Sequence, residues 1–487
     1  MSTDITVIVL AAGGGTRMRS KTMKVLHPIA GRSMVGHVLN AVVGVRPTRV
    51  VAVVGHQREQ VGPHIQALLP DAVLAVQETQ EGTGHAVRIA MQALGDGVTG
   101  TVLVAYADTP LLEGATLRAF ADDHVASGRA MSILSGDLPD PTGYGRVIRG
   151  EDGTVTAIVE QKDATPAQAQ VTEVNSGIVA YDAAFLASAL PRIGNDNAKG
   201  EYYLTDTVAL ARQDGQVVGA FPLDDVDQTE GANDRAQLAV LARKLNDRIL
   251  RRWMLEGVTV LDPASTWVDS DVTLAPDVTL LPGVQLLGTT TVAEDAVIGP
   301  DCTLKDVEIG EGARVVRTHG ELAVIGTGAQ VGPFSYLRPG AILGAGGKIG
   351  AFVEVKNSHI GAGAKVPHLS YVGDAEIGEG TNIGAGAIFA NYDGVVKNRT
   401  TIGRHVKTGV HNSFVAPVTV GDGATTGAGS VIRRDVPPGA LAVSSGQQRH
   451  IEGWVFRKRP GTDAAAAAEA ARAVDPGVAA TTEGGES

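Results

Sequence analysis

Aliphatic residues recur at every sixth position through much of the second half of the chain. One uninterrupted run consists of Val268, Leu274, Leu280, Leu286, Val292, Ile298 and Leu304. The same interval returns in two later runs, at 325–355 and 402–432. A period of six matches neither an amphipathic helix nor simple strand alternation. It is typical of a chain that turns a corner every six residues, and it predicts a left-handed parallel β-helix of hexapeptide repeats.

The first 228 residues show a different pattern, in which strand-like runs alternate with helix-like runs. The predicted strands lie at 5–11, 49–54, 72–77 and 101–106, and the predicted helices at 33–45, 57–69, 83–94 and 114–126. This alternation favours a Rossmann-like α/β fold with an open, mostly parallel sheet. Ligands of such sheets bind at the carboxyl ends of the strands.

The two patterns divide the chain into four segments. We predict an α/β domain at 1–228, a helical linker at 229–257, a β-helix domain at 258–460 and a tail at 461–487. The linker helix follows from apolar residues at helical spacing, with Asn233 or Asp234 as its cap and Gly257 at its end. The tail is rich in Ala, Gly, Glu and Thr without apolar periodicity, which predicts disorder. Breaks in the repeat at 316–322 and 390–401 predict loops that project from the β-helix.

Composition narrows the classes of protein that fit. Aromatic residues make up only 4% of the chain and Gly accounts for 62 of its 487 residues, as expected where the backbone turns many corners. The net charge of −12 without a dense basic patch argues against nucleic-acid binding. The apolar run at 5–12 is too short to insert in a membrane. The single cysteine, Cys302, cannot form an internal disulfide and predicts an intracellular, cytoplasmic protein.

A glycine-rich segment follows the first predicted strand. It consists of Leu10, Ala11, Ala12, Gly13, Gly14, Gly15, Thr16, Arg17 and Met18, with Lys24 six residues later. Small residues allow backbone N–H groups to reach a phosphate chain, and the two cationic side chains supply positive charge. The segment lacks the Gly-Lys-Ser/Thr ending of a Walker loop, and Met18 stands where the dinucleotide pattern requires Gly or Ala. Taken alone, it fits either a phosphate-binding loop or a tight structural turn.

This segment, together with Lys24-Val25-Leu26, resembles the signature of the nucleoside-diphosphate-sugar pyrophosphorylases. Further motifs continue the resemblance in order: Gln77, Gly82-Thr83-Gly84-His85-Ala86, Tyr106-Ala107-Asp108, Gly143-Tyr144-Gly145-Arg146, Glu160-Gln161-Lys162, Asn175-Ser176-Gly177 and Glu230-Gly231-Ala232-Asn233. With its β-helix, the chain resembles bacterial bifunctional enzymes over about residues 3–456. Those enzymes combine an N-acetylglucosamine-1-phosphate uridyltransferase with a glucosamine-1-phosphate acetyltransferase, and they supply UDP-N-acetylglucosamine for peptidoglycan in the cell wall.

The resemblance implies Mg2+-dependent uridylyl transfer from UTP to N-acetylglucosamine 1-phosphate, with release of pyrophosphate. It assigns the metal to Asp108 and Asn233, and neutralisation of the triphosphate to Arg17 and Lys24. It assigns the uracil base to Gln77, Gly82 and Thr83, and the sugar to Gly145, Glu160 and Asn175. Its other assignments to UTP or the UDP-sugar are Leu10, Ala11, Ala12, Gly13, Tyr106 and Ala107. Judged from its position after a strand, Asp108 also fits a helix cap or turn residue.

Polar residues interrupt the repeats of the second half. Acetylation of an amine requires a base, and histidine has a suitable unperturbed pKa at neutral pH. The resemblance implies that His368 is this base, oriented by Glu354, with Asn391 near the acetyl group. It assigns glucosamine 1-phosphate to Arg338, Lys356, Tyr371 and Asn382, and acetyl-CoA to Ala385, Asn391, Tyr392, Val410, Ala428 and Ser445. It also implies a homotrimer that holds acetyl-CoA between subunits, close to the 390–401 loop and Trp454.

Several positions depart from the family pattern. Near the glycine-rich segment, Met23 replaces a usual Pro, and Ala107 replaces a usual Gly before Asp108. In the predicted acetyl-CoA groove, Val410 replaces a Ser and Ser445 replaces an Arg. Neither Met23 nor Ala107 removes a functional group. Val410 and Ser445, in contrast, each remove a contact that the family makes with the cofactor.

Two alternative functions remain open from the residues. In the first, the chain is a sugar nucleotidyltransferase whose β-helix only mediates oligomerisation. In the second, the β-helix carries a three-histidine zinc site of the γ-carbonic anhydrase type, with His368, His405 and His411 gathered across an interface. Turnover of acetyl-CoA with glucosamine 1-phosphate distinguishes the bifunctional enzyme from the first alternative. A zinc assay on the purified protein distinguishes it from the second.

Overall fold

The computed structural model describes residues 4–197, 200–444, 446 and 448–474. The strands of its α/β part are β1 Ile5–Leu10, β2 Pro28–Ile29, β3 Arg32–Ser33, β4 Arg49–Val54, β5 Val73–Val76, β6 Thr101–Tyr106, β7 Met131–Asp137, β8 Arg146–Arg149, β9 Val155–Val159, β10 Glu173–Asp182 and β11 Val218–Leu223. The α-helices of the described residues are α1 Met34–Gly44, α2 Arg58–Leu68, α3 Thr83–Leu94, α4 Gly114–Ser127, α5 Ala183–Ala189, α6 Thr207–Gln213, α7 Arg235–Leu255, α8 Trp454–Lys458 and α9 Asp463–Val474. No described helix is both long enough and apolar enough to cross a membrane.

The main sheet has the strand order β11, β7, β10, β6, β1, β4, β5. Strands β1, β4, β5 and β6 are parallel, as the alternating pattern predicts. Along β1, Val7 and Val9 pack into the core on one face of the sheet, and Ile8 packs into the core on the other. Because both faces are covered by other elements, these strands read as continuous apolar runs in the sequence.

A crevice forms where the strand order reverses. The chain passes from β1 to β4 and β5 on one side and returns to β6 on the other side of β1. Leu10 and Tyr106 are register partners at the carboxyl ends of β1 and β6. Open α/β sheets bind ligands at such a reversal point. The glycine-rich segment and Asp108 therefore leave the sheet side by side.

Beyond β6 the sheet becomes mixed. Strand β10 runs antiparallel to both β6 and β7, and β8 pairs with β9 and β10. The alternating pattern did not predict these antiparallel strands. They extend the sheet, and the residues assigned to the sugar lie on or next to them: Gly145 precedes β8, Glu160 follows β9 and Asn175 lies in β10.

Helix α7 joins the two halves. The Asp234 side chain accepts a hydrogen bond from Gln237 N at 2.9 Å and caps the first turn, and Gly257 follows the last turn with a φ of 97°. The face of α7 that includes Leu245 and Ile249 packs into the same core as the first β-helix coils. A helix thus lies where the linker was predicted, while the domain boundaries themselves stay a prediction.

Short parallel strands build the β-helix as three sheets, and successive strands enter the sheets in turn. The first face contains Thr259–Val260, Thr279–Leu280, Val297–Ile298, Arg314–Val315, Gln330–Val331, Lys348–Ala351 and Lys365–His368. The second face contains Trp267–Val268, Gln285–Leu287, Thr303–Lys305, Thr318–Glu321, Ser335–Leu337, Glu354–Lys356, Tyr371–Gly373, Ile388–Ala390, Ser413–Val415 and Val431–Ile432. The third face contains Thr273–Leu274, Thr291–Val292, Glu308–Ile309, Val324–Ile325, Ala341–Leu343, Ser358–Ile360, Ala375–Ile377, Thr400–Ile402 and Val418–Val420. A further pair consists of Thr425–Thr426 and Leu441–Ala442.

The six-residue repeat places aliphatic side chains in columns inside this β-helix. On the first face, Leu280, Ile298, Val315, Val331 and Ile349 are successive register partners. All of them are buried in one continuous core. The predicted fold class is therefore confirmed in both halves of the chain.

The structure corrects two sequence predictions. Residues 316–322 do not form a projecting loop, because Thr318–Glu321 is a strand and Gly320 lies in register between Leu304 and Leu337. The repeat breaks there because the coil is shortened, so its residues stay in the wall. The tail is not uniformly disordered, since α9 covers Asp463–Val474; residues 475–487 lie outside the described residues. The predicted loop at 390–401 is confirmed between two strands of different faces.

Candidate active sites

Lys24 connects the residues that the sequence assigns to a metal ion. Its ammonium group forms an ion pair with the Asp108 carboxylate and lies 3.5 Å from Asn233 Oδ1. Only 12% of the Lys24 side chain and 22% of the Asp108 side chain are exposed. Asp108 follows β6 and Asn233 precedes α7. The fold thus brings together three polar residues from distant parts of the chain.

The oxygen donors of this group suit a hard divalent cation. The Asp108 carboxylate and the Asn233 amide oxygen both approach one positively charged group, the Lys24 ammonium. Mg2+ is usually held by one or two protein oxygen ligands, together with water and substrate phosphates. The residues therefore fit the metal that the resemblance implies.

The glycine-rich loop leaves open space in front of β1. A Cβ atom built on Gly13 or Gly14 would meet no atom within 4 Å, so internal packing does not require glycine at these positions. Gly15 differs, because it has a φ of 57° and its Cβ would lie 2.5 Å from Lys24 Cβ. Arg17 is exposed and forms no ion pair within the described part of the chain. The loop can therefore accept a phosphate chain, with Arg17 available to it.

Neighbouring backbone holds this loop in place. Ala11 N donates a hydrogen bond to Val53 O at 2.8 Å, and Ala107 N donates to Leu10 O at 3.0 Å. The Gln80 side-chain amide donates to Ala12 O. These contacts order the residues assigned to UTP without occupying the space beside the glycines.

Residues assigned to the uracil base gather at the start of α3. Gln77 is buried, and its Nε2 donates a hydrogen bond to Gly82 O at 3.2 Å. Thr83 Oγ1 accepts a hydrogen bond from Leu204 N at 3.1 Å. Gly82 has a φ of 104°, and its Cβ would lie 2.6 Å from Tyr202 O. Glycine is therefore required at position 82 by both the backbone conformation and the close approach of Tyr202.

Residues assigned to the sugar lie beside the metal position. Asn175 N donates a hydrogen bond to Gly145 O at 2.8 Å, and a Cβ on Gly145 would lie 3.3 Å from Glu160 Oε1. Burial raises the pKa of Tyr106 to about 12, and the negative charges of Asp108 and Glu160 act in the same direction. Tyr106 thus lies close enough to the carboxylate assigned to the metal and to the carboxylate assigned to the sugar for both charges to act on it.

A second polar group lies on the second face of the β-helix. Glu354 and Tyr371 are register partners on successive coils. Arg338 Nη1 donates a hydrogen bond to Glu354 Oε1 at 2.8 Å. Lys356 Nζ lies 3.2 Å from Asp374 Oδ2. The predicted sugar-phosphate residues Arg338, Lys356 and Tyr371 therefore occupy one patch.

Asp374 organises this patch, although the sequence analysis did not single it out as a site residue. It is 7% exposed, accepts a hydrogen bond from Asn357 Nδ2 at 2.6 Å, and accepts another from the Asn391 amide. Burial alone would raise the pKa of Asp374, but these two hydrogen bonds and the Lys356 charge hold it below its usual value. Asp374 therefore stays ionised and fixes the side chains of Lys356 and Asn391.

The 390–401 loop adds a third cation that sequence reasoning missed. Contact with the Lys356 ammonium group lowers the pKa of Lys397, and the Arg338 charge acts in the same direction. Lys397 also forms an antiparallel bridge with Tyr392 inside the loop. The only sequence signal for Lys397 was the break in the hexapeptide repeat. Three cationic side chains thus converge on one part of the β-helix surface.

His368 is exposed at the end of a first-face strand, close to the corner that leads to Tyr371. Its backbone oxygen accepts a hydrogen bond from Ser370 Oγ at 2.7 Å. The expected contact between His368 and Glu354 is not found in the described residues, because Glu354 bonds to Arg338 instead. We expected Glu354 to orient His368, but in the structure Glu354 pairs with Arg338.

Residues assigned to acetyl-CoA form a column on neighbouring coils. His411 N donates a hydrogen bond to Ala385 O at 2.7 Å, and Gly429 N donates to Val410 O at 2.8 Å. These bonds stack Ala385, Val410 and Ala428 along the β-helix. Val410 is 46% exposed and Tyr392 is 60% exposed. Ser445, also assigned to acetyl-CoA, lies outside the described residues.

Asn382, which was assigned to glucosamine 1-phosphate, is exposed and forms a parallel bridge with Lys365 of the first face.

Two of the histidines considered for zinc lie at corners of the β-helix. The rings of His405 and His411 lie against Gly380 and Gly386 of the preceding coil. His405 and His411 both have a positive φ, at 54° and 53°. Within the described part of this single chain, His, Cys, Asp and Glu form no group of three or more that could hold a metal ion.

The fold and the two polar sites define a nucleotidyltransferase joined to a hexapeptide-repeat acyltransferase. A family model for the MobA-like NTP transferase domain matches residues 7–155. Proteins named "Bifunctional protein GlmU" match nearly the whole chain. That of Kineococcus radiotolerans is 59% identical and the match covers 98% of this chain and 97% of that protein. For Rhodococcus opacus the identity is 58%, with 97% and 96% covered. For Corynebacterium jeikeium it is 54%, with 96% of each chain covered.

The chain belongs to the GlmU family. It is a bifunctional transferase, an N-acetylglucosamine-1-phosphate uridyltransferase and a glucosamine-1-phosphate N-acetyltransferase that together make UDP-N-acetylglucosamine. This assignment selects the bifunctional interpretation over a structural β-helix and over a zinc enzyme.

Proposed function

We propose that the crevice between β1 and β6 carries out uridylyl transfer with Mg2+ held by Asp108 and Asn233. The observation that carries this proposal is the convergence of both oxygen donors on the Lys24 ammonium group. When bound, the ion supplies positive charge to the phosphates of UTP. With such an ion held by Asp108 and Asn233, Lys24 would no longer be needed as the partner of Asp108 and would be free to bind a phosphate oxygen.

The chain's own residues provide orientation and charge for this step. The phosphate of N-acetylglucosamine 1-phosphate attacks the α-phosphorus of UTP, and the bond to the β-phosphate oxygen breaks to release pyrophosphate. Negative charge develops on the phosphoryl oxygens, so fixed donors and cations lower the barrier. Lys24, Arg17 and the N–H groups of the open glycine-rich loop are suited to this task, while Gly145, Glu160 and Asn175 orient the sugar.

The β-helix patch supports acetyl transfer. Arg338, Lys356 and Lys397 bind the phosphate of glucosamine 1-phosphate, because three cations converge there. The sugar amine attacks the carbonyl carbon of the acetyl thioester, His368 removes the amine proton, and the CoA thiolate leaves. Asn391, held by Asp374, lies where its amide can bind the acetyl oxygen.

Acetyl transfer requires a homotrimer in this proposal. Phe334, Phe352 and Leu369 stack at one corner of successive coils, and Leu369 directly follows His368. They are 52%, 60% and 61% exposed, and their φ values are 59°, 57° and 49°. Bulky residues rarely adopt positive φ, and exposed apolar patches mark interaction surfaces. We name these three residues the corner ridge and assign it to contact with second copies of this chain.

Paired assays on one preparation test both halves of the proposal. Pyrophosphate release reports uridylyl transfer, and release of free CoA thiol reports acetyl transfer. We expect EDTA to abolish the first and to leave the second unchanged, and added Mg2+ to restore the first. Pyrophosphate release that persists in EDTA would contradict the metal assignment. We assign both reactions to the cytoplasm, in agreement with the cysteine content.

A further inference from the structure

Arg146 is the largest fully buried side chain among the described residues, with 1% exposure. Its Nη1 donates to Tyr144 O, and its Nη2 donates to Gln161 Oε1 at 2.7 Å and, at 3.5 Å, to Ala169 O. Its Nε has no hydrogen-bond partner. Within the described part of the chain, no carboxylate forms an ion pair with this guanidinium. Arginine is seldom buried completely without such a partner.

This arrangement has an energetic cost. A buried charge without a counter-ion loses its hydration and recovers only part of that energy from neutral acceptors. An apolar side chain of similar volume would avoid the cost. Stability therefore does not explain why arginine occupies this position. Its place beside the residues assigned to the sugar suggests a role in the reaction.

The guanidinium ties together two segments that border the sugar. Gln161 Oε1 accepts hydrogen bonds from Arg146 Nη2 and, at 3.2 Å, from Gly143 N. One amide oxygen and one guanidinium thus join the 143–145 turn to the 160–161 segment. Gly145 and Glu160 are the neighbouring residues in these two segments, they lie in contact with each other, and our proposal assigns the sugar to both.

We propose that Arg146 and Gln161 are positioning residues for the sugar phosphate in uridylyl transfer. They set the separation of Gly145 and Glu160 and do not touch the substrate themselves. Arginine suits this role because its planar group holds two acceptors in a fixed geometry, which lysine cannot reproduce. The proposal rests on the proposed function, since it takes Gly145 and Glu160 as sugar contacts.

The decisive variant is Gln161→Leu, because it removes the shared acceptor from a half-buried position and leaves the strands intact. We expect the KM for N-acetylglucosamine 1-phosphate to rise about tenfold, because Gly145 and Glu160 lose the tie that sets their separation and small displacements of binding groups are costly. The KM for UTP and the acetyl transfer rate should not change. Arg146→Lys should give a similar rise in this KM, because lysine keeps the positive charge but lacks the two guanidinium NH2 groups that bind Tyr144 O and Gln161 Oε1.

Arg149→Gln is the matched control. Arg149 lies on the same strand β8 and pairs with Glu173 at 2.7 Å, but its contacts do not reach the 143–145 turn. We expect both KM values of this variant to stay near those of the unmodified chain. Acetyl transfer by the β-helix of the same chain serves as an internal measure of active protein.

Two outcomes separate this inference from the proposed sugar site. If Glu160→Gln raises the KM for the sugar phosphate while Gln161→Leu does not, the positioning role is wrong and the sugar site stands. If Glu160→Gln has no effect, the sugar site itself is misplaced. A purely structural role would raise both KM values or lower the melting temperature without selective loss of sugar binding. If the Arg146 variants fail to fold, the Gln161→Leu variant still tests the positioning role.

Discussion

Lys24 and Asp108 form an ion pair although 84 residues separate them in the chain. The pairing depends on Gly15, because any Cβ there would collide with the Lys24 side chain. It also depends on the parallel register of β1 and β6, which places Asp108 beside the glycine-rich loop. The glycines at 13–15 therefore have two roles: the first two leave room for a ligand, and the third leaves room for Lys24.

We expect Asp108→Asn to abolish uridylyl transfer and to leave acetyl transfer near its original rate. The substitution preserves the shape of the side chain and removes the charge that pairs with Lys24 and that, in our proposal, holds Mg2+. Pyrophosphate release and thiol release, measured on the same preparation, check this expectation. Equal loss of both activities in a folded variant would overturn the two-site assignment.

His368→Ala should give the reverse result. Without a base to remove the amine proton, thiol release should fall by roughly two to four orders of magnitude, and pyrophosphate release should not change. His359→Ala is a suitable control, because His359 lies on a third-face strand and bonds to Glu376 at 2.6 Å, whereas Glu354, Lys356 and Tyr371 lie on second-face strands. If His359→Ala has as large an effect as His368→Ala, His368 is not the base.

Gly13→Ala tests whether the glycine-rich loop is kept open for a ligand. A Cβ at this position meets no protein atom within 4 Å, so we expect an unchanged or slightly higher melting temperature, since alanine restricts the unfolded chain more than glycine. The KM for UTP should rise severalfold because the added methyl group fills space that the phosphates need. Gly15→Ala should instead lower the melting temperature. A Gly13→Ala enzyme with normal UTP binding would place the triphosphate elsewhere.

The fold was predictable from the sequence where a local pattern repeats. The core columns that include Leu280 and Ile298 set the hexapeptide period. In the first half, the apolar strands β1, β4, β5 and β6 alternate with amphipathic helices. Strands β7 to β11 were not predicted, because their pairing depends on partners distant in sequence. The sequence predicted a projecting loop at 316–322, whereas the structure has a shortened coil there. A deletion and an insertion both interrupt the six-residue repeat, so the sequence pattern does not distinguish them.

The sites were predictable only where a motif carried them. Asp108, Lys24 and Asn233 belong to recognisable motifs, and the structure brings them together. Asp374 and Lys397 act through contacts with Lys356 that form only when coils stack and the 390–401 loop folds back. Such contacts leave no local pattern in the sequence.

The corner ridge gives a prediction about assembly. Phe352→Asp should convert the proposed trimer to smaller species in light scattering, because it places a charge in the proposed apolar contact. Aspartate tolerates positive φ better than phenylalanine, so the β-helix itself should stay folded. Thiol release should fall with the trimer, and pyrophosphate release should persist.

Leu255→Asp is the control for this experiment, because Leu255 is 76% exposed at the end of α7, on the linker helix and not on the corner ridge. It should alter neither the molecular mass nor either activity. A monomeric Phe352→Asp enzyme with full acetyl transfer would contradict the interfacial site.

Val410→Ser tests the position of the cofactor groove. Val410 is 46% exposed beside Ala385 and Ala428, and a serine there would offer a hydroxyl to acetyl-CoA. One neutral hydrogen bond contributes about 1 kcal/mol, which corresponds to roughly a five- to tenfold lower KM for acetyl-CoA. Turnover should change little, because His368 and Asn391 are untouched, and uridylyl transfer should not change. An unaltered KM for acetyl-CoA would mean that another group already makes this contact, or that the cofactor does not lie along this column.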